Sequence, residues 1–569
     1  MNRRDFLAQC GAGLTASAHA FDVAAQSRTA PAFQLVDVTA AAGLQFRHNS
    51  GAYGGKLLPE TLGSGCAFLD YDADGWEDIL LINGMDWPGH KRQRSTLKLY
   101  RNNRNGTFVD VTREAGLDVE MYGMGVAVGD VNNDGFPDIF VTCVGQSRLF
   151  RNTGKGGFID ATHRSGLGGR QAFSTSAMWL DFDRDGFLDL FVCNYVRWSA
   201  EHDVFCSLDG KQKSYCTPEA YRGETCWLFR NRGDGTFDDV TATCGVFDSS
   251  SKSLGVTLID QDQDGWPDIF VANDTQPNKL YRNQRNGTFR DVGLDAGVAL
   301  SEDGKARAGM GVDAGDFDNS GRTGLVVTNF EGEMIGLYRA LDAGHYVDVA
   351  TAAGVGGPSR TRLGFGCLFA DIDLDGRLDL IVVNGHIDDT VRNIRGNLGQ
   401  AQAPQLFLNQ GGGAFRDVSS TAGSGFAQPR VGRGLACGDF DGDGDVDLLV
   451  TTNNGSPMLL RNDHSAGNRS LRFRLIGTTS NRSAIGASVR ISHDGESQTR
   501  VVRSGSSYLS QSALALTFGI GRRDRVDRAL VTWPSGRVEE FKNLLPGRSY
   551  DCVEGKGLSV GRTLAGPRP

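Results

Sequence analysis

The chain has 569 residues, 39% of them hydrophobic and 22% charged, which is enough apolar matter for a packed core and argues against wholesale disorder. No run of about 18 apolar residues occurs, so a membrane-spanning helix is not expected. The 77 glycines, nearly twice the usual share of about 7%, follow no G-X-Y period and point to many short strands and tight turns. The formal charge of −9 is unevenly spread: from Asp463 onward there are 17 Lys and Arg against 9 Asp and Glu, so residues 21–462 form a strongly acidic body. Such a body argues against nucleic acid as a partner.

The first twenty residues read as an address. Arg3 and Arg4 precede Phe6-Leu7 and a weakly apolar stretch, and Ala18-His19-Ala20 fits a small-x-small cleavage site. The paired arginines predict a twin-arginine-type signal over 1–20, and hence a periplasmic or secreted protein. A linker is expected over 21–32.

From residue 33 three phrases keep time with one another. The first, F-x-D-V, lies at Phe33, Phe108, Phe158, Phe237, Phe289, Tyr346 and Phe415. The second is an acidic nonapeptide, D-x-[DN]-x-D-G-x-x-D, with six full copies and a weaker one beginning at Asp316. The third, of the L-[YF]-R-N kind, begins at Leu99, Leu149, Leu228, Leu280, Leu337, Leu406 and Leu459. Between them run β-branched stretches too short for helices, such as Ile79–Ile82. Thr39, Thr112, Thr162 and Thr241 can cap a short turn that Gly43, Gly116, Gly166 and Gly245 end. Three to four strands per unit, repeated seven times, predict a seven-bladed β-propeller over 33–462. The first and last phrases can complete one blade and close the ring.

The acidic loops carry the chemistry. Oxygens converging on about ten residues of loop suit a hard cation, and a glycine at the sixth position permits the sharp turn. An EF-hand needs a glutamate at the twelfth position between helices; here that position is apolar and lies in a strand. No Cys or His joins the pattern, which disfavours zinc. The predicted ligands are Asp70, Asp72, Asp74 and Asp78; Asp130, Asn132, Asp134 and Asp138; Asp181, Asp183, Asp185 and Asp189; Asp260, Asp262, Asp264 and Asp268; Asp316 and Asp318; Asp371, Asp373, Asp375 and Asp379; and Asp439, Asp441, Asp443 and Asp447. Six to seven Ca²⁺ ions are expected, with the fifth site weak because Ser320 and Gly324 replace its last two acids.

The spacing between the third and fourth loops is the longest. It holds Trp198, Tyr215, Tyr221 and Trp227 with several cysteines. A disulfide-pinned excursion is predicted there, with Cys206 and Cys216 as the first choice of pair, and it is the expected recognition surface. Cys66, Cys143, Cys367 and Cys437 read as buried hydrophobes.

After residue 462 the alternation in Leu471, Phe473 and Leu475, and in Ala487, Val489 and Ile491, predicts a small β-sandwich-like domain over 463–553. A flexible tail is expected over 554–569. The basic charge of this part could face an anionic polysaccharide or lipid, or be simply solvated.

The repeats resemble FG-GAP/VCBS repeats, the units of integrin-α-like propellers. His48-Asn49-Ser50-Gly51, Leu58-Pro59-Glu60-Thr61 and Gly63-Ser64-Gly65 are similar to the cartilage acidic protein family. Leu475-Ile476-Gly477-Thr478, Gly505 to Ser510, Phe518 to Gly521 and Val531 to Gly536 resemble the ASPIC/UnbV domain. The resemblance spans 33–553 and implies a secreted, calcium-binding propeller without a settled activity.

No catalytic motif stands out. His48, Glu60, His202, Glu224 and His386 could act in acid–base chemistry, but nothing pairs them at a diagnostic spacing. The expected function is therefore an exported binding module for protein or carbohydrate partners at the bacterial cell envelope. The alternative is an enzyme of the lyase, cyclase or hydrolase class acting on a small molecule or glycan at the central face.

Overall fold

The computed structural model describes residues 31–207, 210–394, 396, 398–464 and 467–566. The predicted signal over 1–20 and residues 21–30 of the expected linker lie outside them.

Seven four-stranded antiparallel units follow one another along the chain, the second and third joined into one eight-stranded sheet. The first runs Cys66–Leu69, Asp78–Leu81, Lys98–Asn102 and Phe108–Asp110, from the centre outward. The seventh has Gly432–Gly438, Asp447–Thr452 and Met458–His464, and its outer strand is Phe33–Asp37, paired from Phe33↔His464 to Asp37↔Leu460. The two ends of the array thus complete one sheet, as the order of phrases predicts. The second and third sheets also pair through Ala172↔Gly145 and Phe173↔Val144. The innermost strands neighbour one another in unbroken cyclic order, so the array is a closed β-propeller.

One hydrogen bond marks each joint of the ring. The amide of the F-x-D-V aromatic donates to the turn of the preceding unit: Phe108 to Ala42 (2.8 Å), Phe158 to Ala115 (2.8 Å), Phe289 to Cys244 (2.7 Å) and Phe415 to Ala353 (2.8 Å); across the closure it is Leu35, two residues after Phe33, that donates to Ala422 (2.7 Å). The glycine that ends each turn is there for two reasons. Gly116 has φ +75°, and a Cβ on it would sit 2.8 Å from the Phe158 carbonyl. The predicted threonine caps act differently from expectation. Asp110 Oδ1 accepts the Thr112 amide (3.0 Å), and the Thr112 hydroxyl accepts the Leu99 amide of the neighbouring strand (3.0 Å).

The asparagine of the L-[YF]-R-N phrase joins units in a second way. Asn152 Nδ2 donates to Tyr71 O (2.8 Å), Asn283 to Phe182 O (2.8 Å) and Asn462 to Ile372 O (2.9 Å), each reaching the acidic loop of another unit. In the fifth unit Ala340 stands in its place.

The C-terminal part forms two more four-stranded sheets packed as a sandwich around Phe473, Phe518, Trp533 and Tyr550. Ser470–Ile476 runs parallel to Arg548–Val553. The expected flexible tail is corrected here: Gly557–Thr563 is a strand paired with Arg548–Val553, because its backbone extends a sheet already begun.

The stretch Ser504–Ala513 leaves this sandwich and fills the middle of the ring. Ser507 O accepts the Val312 amide (2.9 Å), Leu509 O the Val126 amide (3.1 Å), and Gln511 exchanges bonds with Cys66 O (2.9 Å) and the Phe68 amide (3.1 Å). The Leu509 amide donates to Ser176 Oγ (3.1 Å), and the Ala513 amide to Cys437 O (3.0 Å). These partners lie on the inner strands of five different units. Tyr508, fully buried, reaches Leu62 O on the far side (3.2 Å) and packs edge-on against Phe365. No helix among the described residues is long and apolar enough to cross a membrane.

Candidate functional site

Each acidic loop is a strand–loop–strand turn whose backbone amides aim its carboxylates inward. In the first, Asp70 accepts the amides of Asp74 and Gly75 (both 2.9 Å). Asp78 accepts the Tyr71 amide (3.1 Å) with one oxygen and the Asn102 amide (2.8 Å) with the other. The turn needs two left-handed residues, not one. Beside the glycine at the sixth position, the fourth has positive φ in every copy: Ala73 (58°), Asn133 (57°), Arg184 (60°), Gln263 (58°), Asn319 (53°), Leu374 (57°) and Gly442 (75°). Six of these are not glycine, so this strain is held by the bonds around it.

Five loops bring three carboxylates within 4.8 Å of one another: Asp70, Asp72 and Asp78; Asp181, Asp183 and Asp189; Asp260, Asp262 and Asp268; Asp371, Asp373 and Asp379; Asp439, Asp441 and Asp447. These groups could hold metal ions. The second loop has Asn132 at the third position, and the fifth has only Asp316 and Asp318, so neither gathers three carboxylates in this way. Several inward oxygens are buried without a hydrogen-bond partner, among them Asp72 Oδ1, Asp181 Oδ1, Asp183 Oδ1, Asp262 Oδ1 and Asn132 Oδ1. Buried, unpartnered carboxylate oxygens are costly, and a hard cation is the chemistry that satisfies them. Burial, and after it like charges, pushes Asp70 up to about 7 and Asp181 to about 7. Asp78 rises to about 9, chiefly through burial, with Asp72 and Asp70 adding to it.

The sequence pattern missed two acids at these sites. Asp445 is a fifth carboxylate of the seventh loop, 1% exposed and held well above the usual range by burial and by Asp447 and Asp443. Glu77, at the first loop, pairs with Arg472 of the C-terminal domain. The fifth loop keeps its turn, with Gly321 donating to Asp316 Oδ2 (2.9 Å), but it lost Asp at position nine together with the asparagine whose amide that acid would accept.

The C-terminal domain covers this acidic face. Arg472 bonds Glu77 and lies 3.4 Å from Asp439. Arg500 adds positive charge beside Asp371 and Asp316. Arg184 donates to Pro534 O (2.7 Å), and the Arg482 amide to Asn133 Oδ1 (2.8 Å). Part of the basic charge therefore faces the loops of its own chain, not an external polyanion. A cavity of about 520 Å³ remains between the two, lined by Asp70, Glu77, Asp130, Arg474, Arg482 and Arg562 among others.

On the opposite side Leu57, Leu58, Leu62, Trp87, Tyr122, Phe173, Tyr195 and Phe365 form a buried apolar cluster with Tyr508, under the excursion that joins the second and third strands of the third sheet. Cys206 and Cys216 are joined by a disulfide, as expected. The Tyr221 hydroxyl and Trp198 Nε1 both donate to Asp203 (2.8 and 2.6 Å), anchoring the excursion. Cys66, Cys143 and Cys367 are buried; Cys437 is partly so.

The five residues singled out for acid–base chemistry are not brought into contact with one another. His48 is buried, accepts the Asn454 amide (3.0 Å), and is pushed down to about 3 by burial and by Arg433. Glu60 accepts the Tyr215 hydroxyl (3.1 Å) and is raised by burial. His202 bonds Ser199 (2.9 Å), Glu224 pairs with Arg197 (3.1 Å), and His386 accepts the Asp388 amide (3.0 Å).

The fold and loops define a β-propeller of acidic strand–loop–strand repeats carrying a C-terminal β-domain. The FG-GAP-like repeat family matches residues 70–141, 132–192, 203–271, 260–327 and 388–487, and the chain belongs to that family; ASPIC and UnbV matches 477–559. The chain is 28% identical to cartilage acidic protein 1 of Mus musculus over 373 residues, 63% of this chain and 51% of that protein. To the Homo sapiens protein it is 27% identical over 390 residues, 66% and 52% of the two. It spans about half the length of these relatives. Among solved structures, the BP39L lectin from Burkholderia pseudomallei is 9% identical, with a TM-score of 0.42 over 72% of this chain and 98% of that one.

Proposed function

We propose that the protein is an exported, calcium-binding propeller that serves as a binding module for protein or carbohydrate partners at the bacterial cell envelope. The loop side chains named above hold about six Ca²⁺ ions, and a seventh binds weakly at Asp316 and Asp318. The carrying observation is the division of labour between faces. The acidic loops sit under the C-terminal domain, the ring centre is filled by Ser504–Ala513, and the opposite side, where a disulfide-pinned excursion lies over a buried apolar cluster, is left for recognition. The same filling, and the dispersal of His48, Glu60, His202, Glu224 and His386, weigh against the enzyme reading.

Calcium-loaded protein presented to host envelope proteins and to a glycan panel is expected to retain a ligand that excess chelator releases. Retention from neither source would overturn the binding reading, and turnover of a glycan would favour the enzyme. For export, replacing Arg3 and Arg4 by lysine is expected to leave the precursor in the cytoplasm. Unchanged export would remove the twin-arginine route.

A further inference from the structure

On the side away from the acidic loops lies a cavity of about 150 Å³, walled by Leu62, Leu254, Met310, Phe330, Phe365 and Ile387 among others. Its lining carries three acids, Asp274, Glu333 and, at the exposed rim, Glu219, beside the uncharged Thr61, Tyr195, Thr217 and Thr275, and no Lys or Arg. Asp274 is 8% exposed, and its Oδ2 accepts the Tyr195 hydroxyl at 2.6 Å. No other side-chain hydrogen bond reaches Asp274 among the described residues, which leaves Oδ1 for the cavity. Thr275 Oγ1 is buried without a partner. Glu333 accepts the Ala308 amide at 2.8 Å.

Of the cations nearby, Arg307 pairs with Asp348 (2.9 Å), whereas Lys252 donates to Pro218 O (2.8 Å) and acts on Asp274 from there. Burial, with Glu219 and Glu333 adding to it, raises Asp274 to about 7 against the opposing pull of the Tyr195 hydrogen bond and Lys252.

These acids do not form a metal cage. Among the described residues the only groups with three ligand atoms within 4.8 Å are the five in the acidic loops. Apolar walls around separated acceptors suit instead an organic cation, whose chain fills the pocket while its three N–H donors meet several oxygens.

We propose that this pocket binds an alkylammonium group, Asp274 and Glu333 supplying the charge and Thr275 a further acceptor. A free amine and the lysine side chain of a partner share this chemistry. The proposal rests on the reading of this face as the recognition surface.

The test is calorimetric titration of the calcium-loaded full chain with n-butylammonium chloride, with the peptide acetyl-Gly-Lys-Gly-amide, and with n-butanol as the neutral counterpart. The expected result is binding of one or both cations and not of butanol. Asp274→Asn is expected to weaken it tenfold or more, and Thr275→Val by a smaller factor. Binding of butylammonium points to a free amine, and binding of the peptide alone to a lysine side chain. If neither cation binds, if butanol binds equally, or if both variants bind as the parent does, the proposal is overturned. Should Asp274→Asn fail to fold, Glu333→Gln takes its place. A null titration on protein that still captures an envelope ligand overturns the pocket alone, whereas loss of both overturns the recognition surface as well.

Discussion

The two faces of the ring are made of different materials, and only one of them repeats. On the loop face, copies of one nonapeptide place carboxylates in near-identical turns, and a basic domain closes over them. On the other face almost nothing recurs: Trp87, Tyr195, Asp274, the Cys206–Cys216 bridge and Phe365 each occur once. Repetition serves the frame, since every unit must close against its neighbour in the same way. Recognition needs residues that differ from unit to unit. The face without a repeat is therefore where specificity is expected, and the repeating face is where stability is expected.

The largest break between the faces should come from calcium removal. A site saturated at ten- to a hundredfold its dissociation constant contributes about 1.4–2.7 kcal/mol. Summed over the loops, chelation should cost on the order of 10 kcal/mol, restored by Ca²⁺ and poorly by Mg²⁺, which demands tighter octahedral geometry. Denaturant titration with and without chelator measures it. An equal midpoint in both would place the staple elsewhere.

Next in size is the thread that joins the faces. Tyr508 is 0% exposed, and Tyr508→Ala should cost about 3–5 kcal/mol by opening a void in the ring centre. A loss under about 1 kcal/mol, read from the same titration, would mean that the central stretch is not packed as described.

Within the loop face the comparison sharpens further. Asp70→Ala should remove one site, about 1.4–2.7 kcal/mol in saturating calcium. In chelator it should be neutral or stabilising, because it takes one carboxylate from among like charges. Asp316→Ala should cost less in calcium, since its loop lacks two of the acids. Equal costs for the two variants would contradict the ranking of the sites.

A smaller effect depends on pH. His48 has its pKa lowered from 6.5 to about 3, so between those values the unfolded chain binds a proton that the folded one does not. Stability from this group is complete above pH 6.5 and falls as pH drops, by about 2 kcal/mol at pH 5. His48→Gln should flatten that part of the profile. An unchanged slope would assign it to other groups.

Most of the frame was legible because it is local and repeated. The strand phrases and the ring closure through Phe33–Asp37 follow from spacing, and the pairing of Cys206 with Cys216 from the polar, loop-like sequence around both. The asparagine of the L-[YF]-R-N phrase was visible as a repeat, but its partner is a carbonyl of another unit, as with Asn283 and Phe182. The central stretch was not legible, because Leu509 meets Ser176 across 333 residues and nothing nearby in sequence records it. In Gly557–Thr563 only Leu558 and Val560 alternate, too short a pattern to tell a strand from a tail. Asp274 and Thr275 look like an ordinary turn, and only the fold turns them toward an apolar cavity.

The most direct test is native mass spectrometry of the intact chain, exchanged into calcium and then freed of loosely bound ions. About six retained Ca²⁺ ions are predicted, falling by one in Asp70→Ala and unchanged in Asp316→Ala. A chain that retains no calcium, or keeps the same number in both variants, would contradict the assignment of the acidic loops.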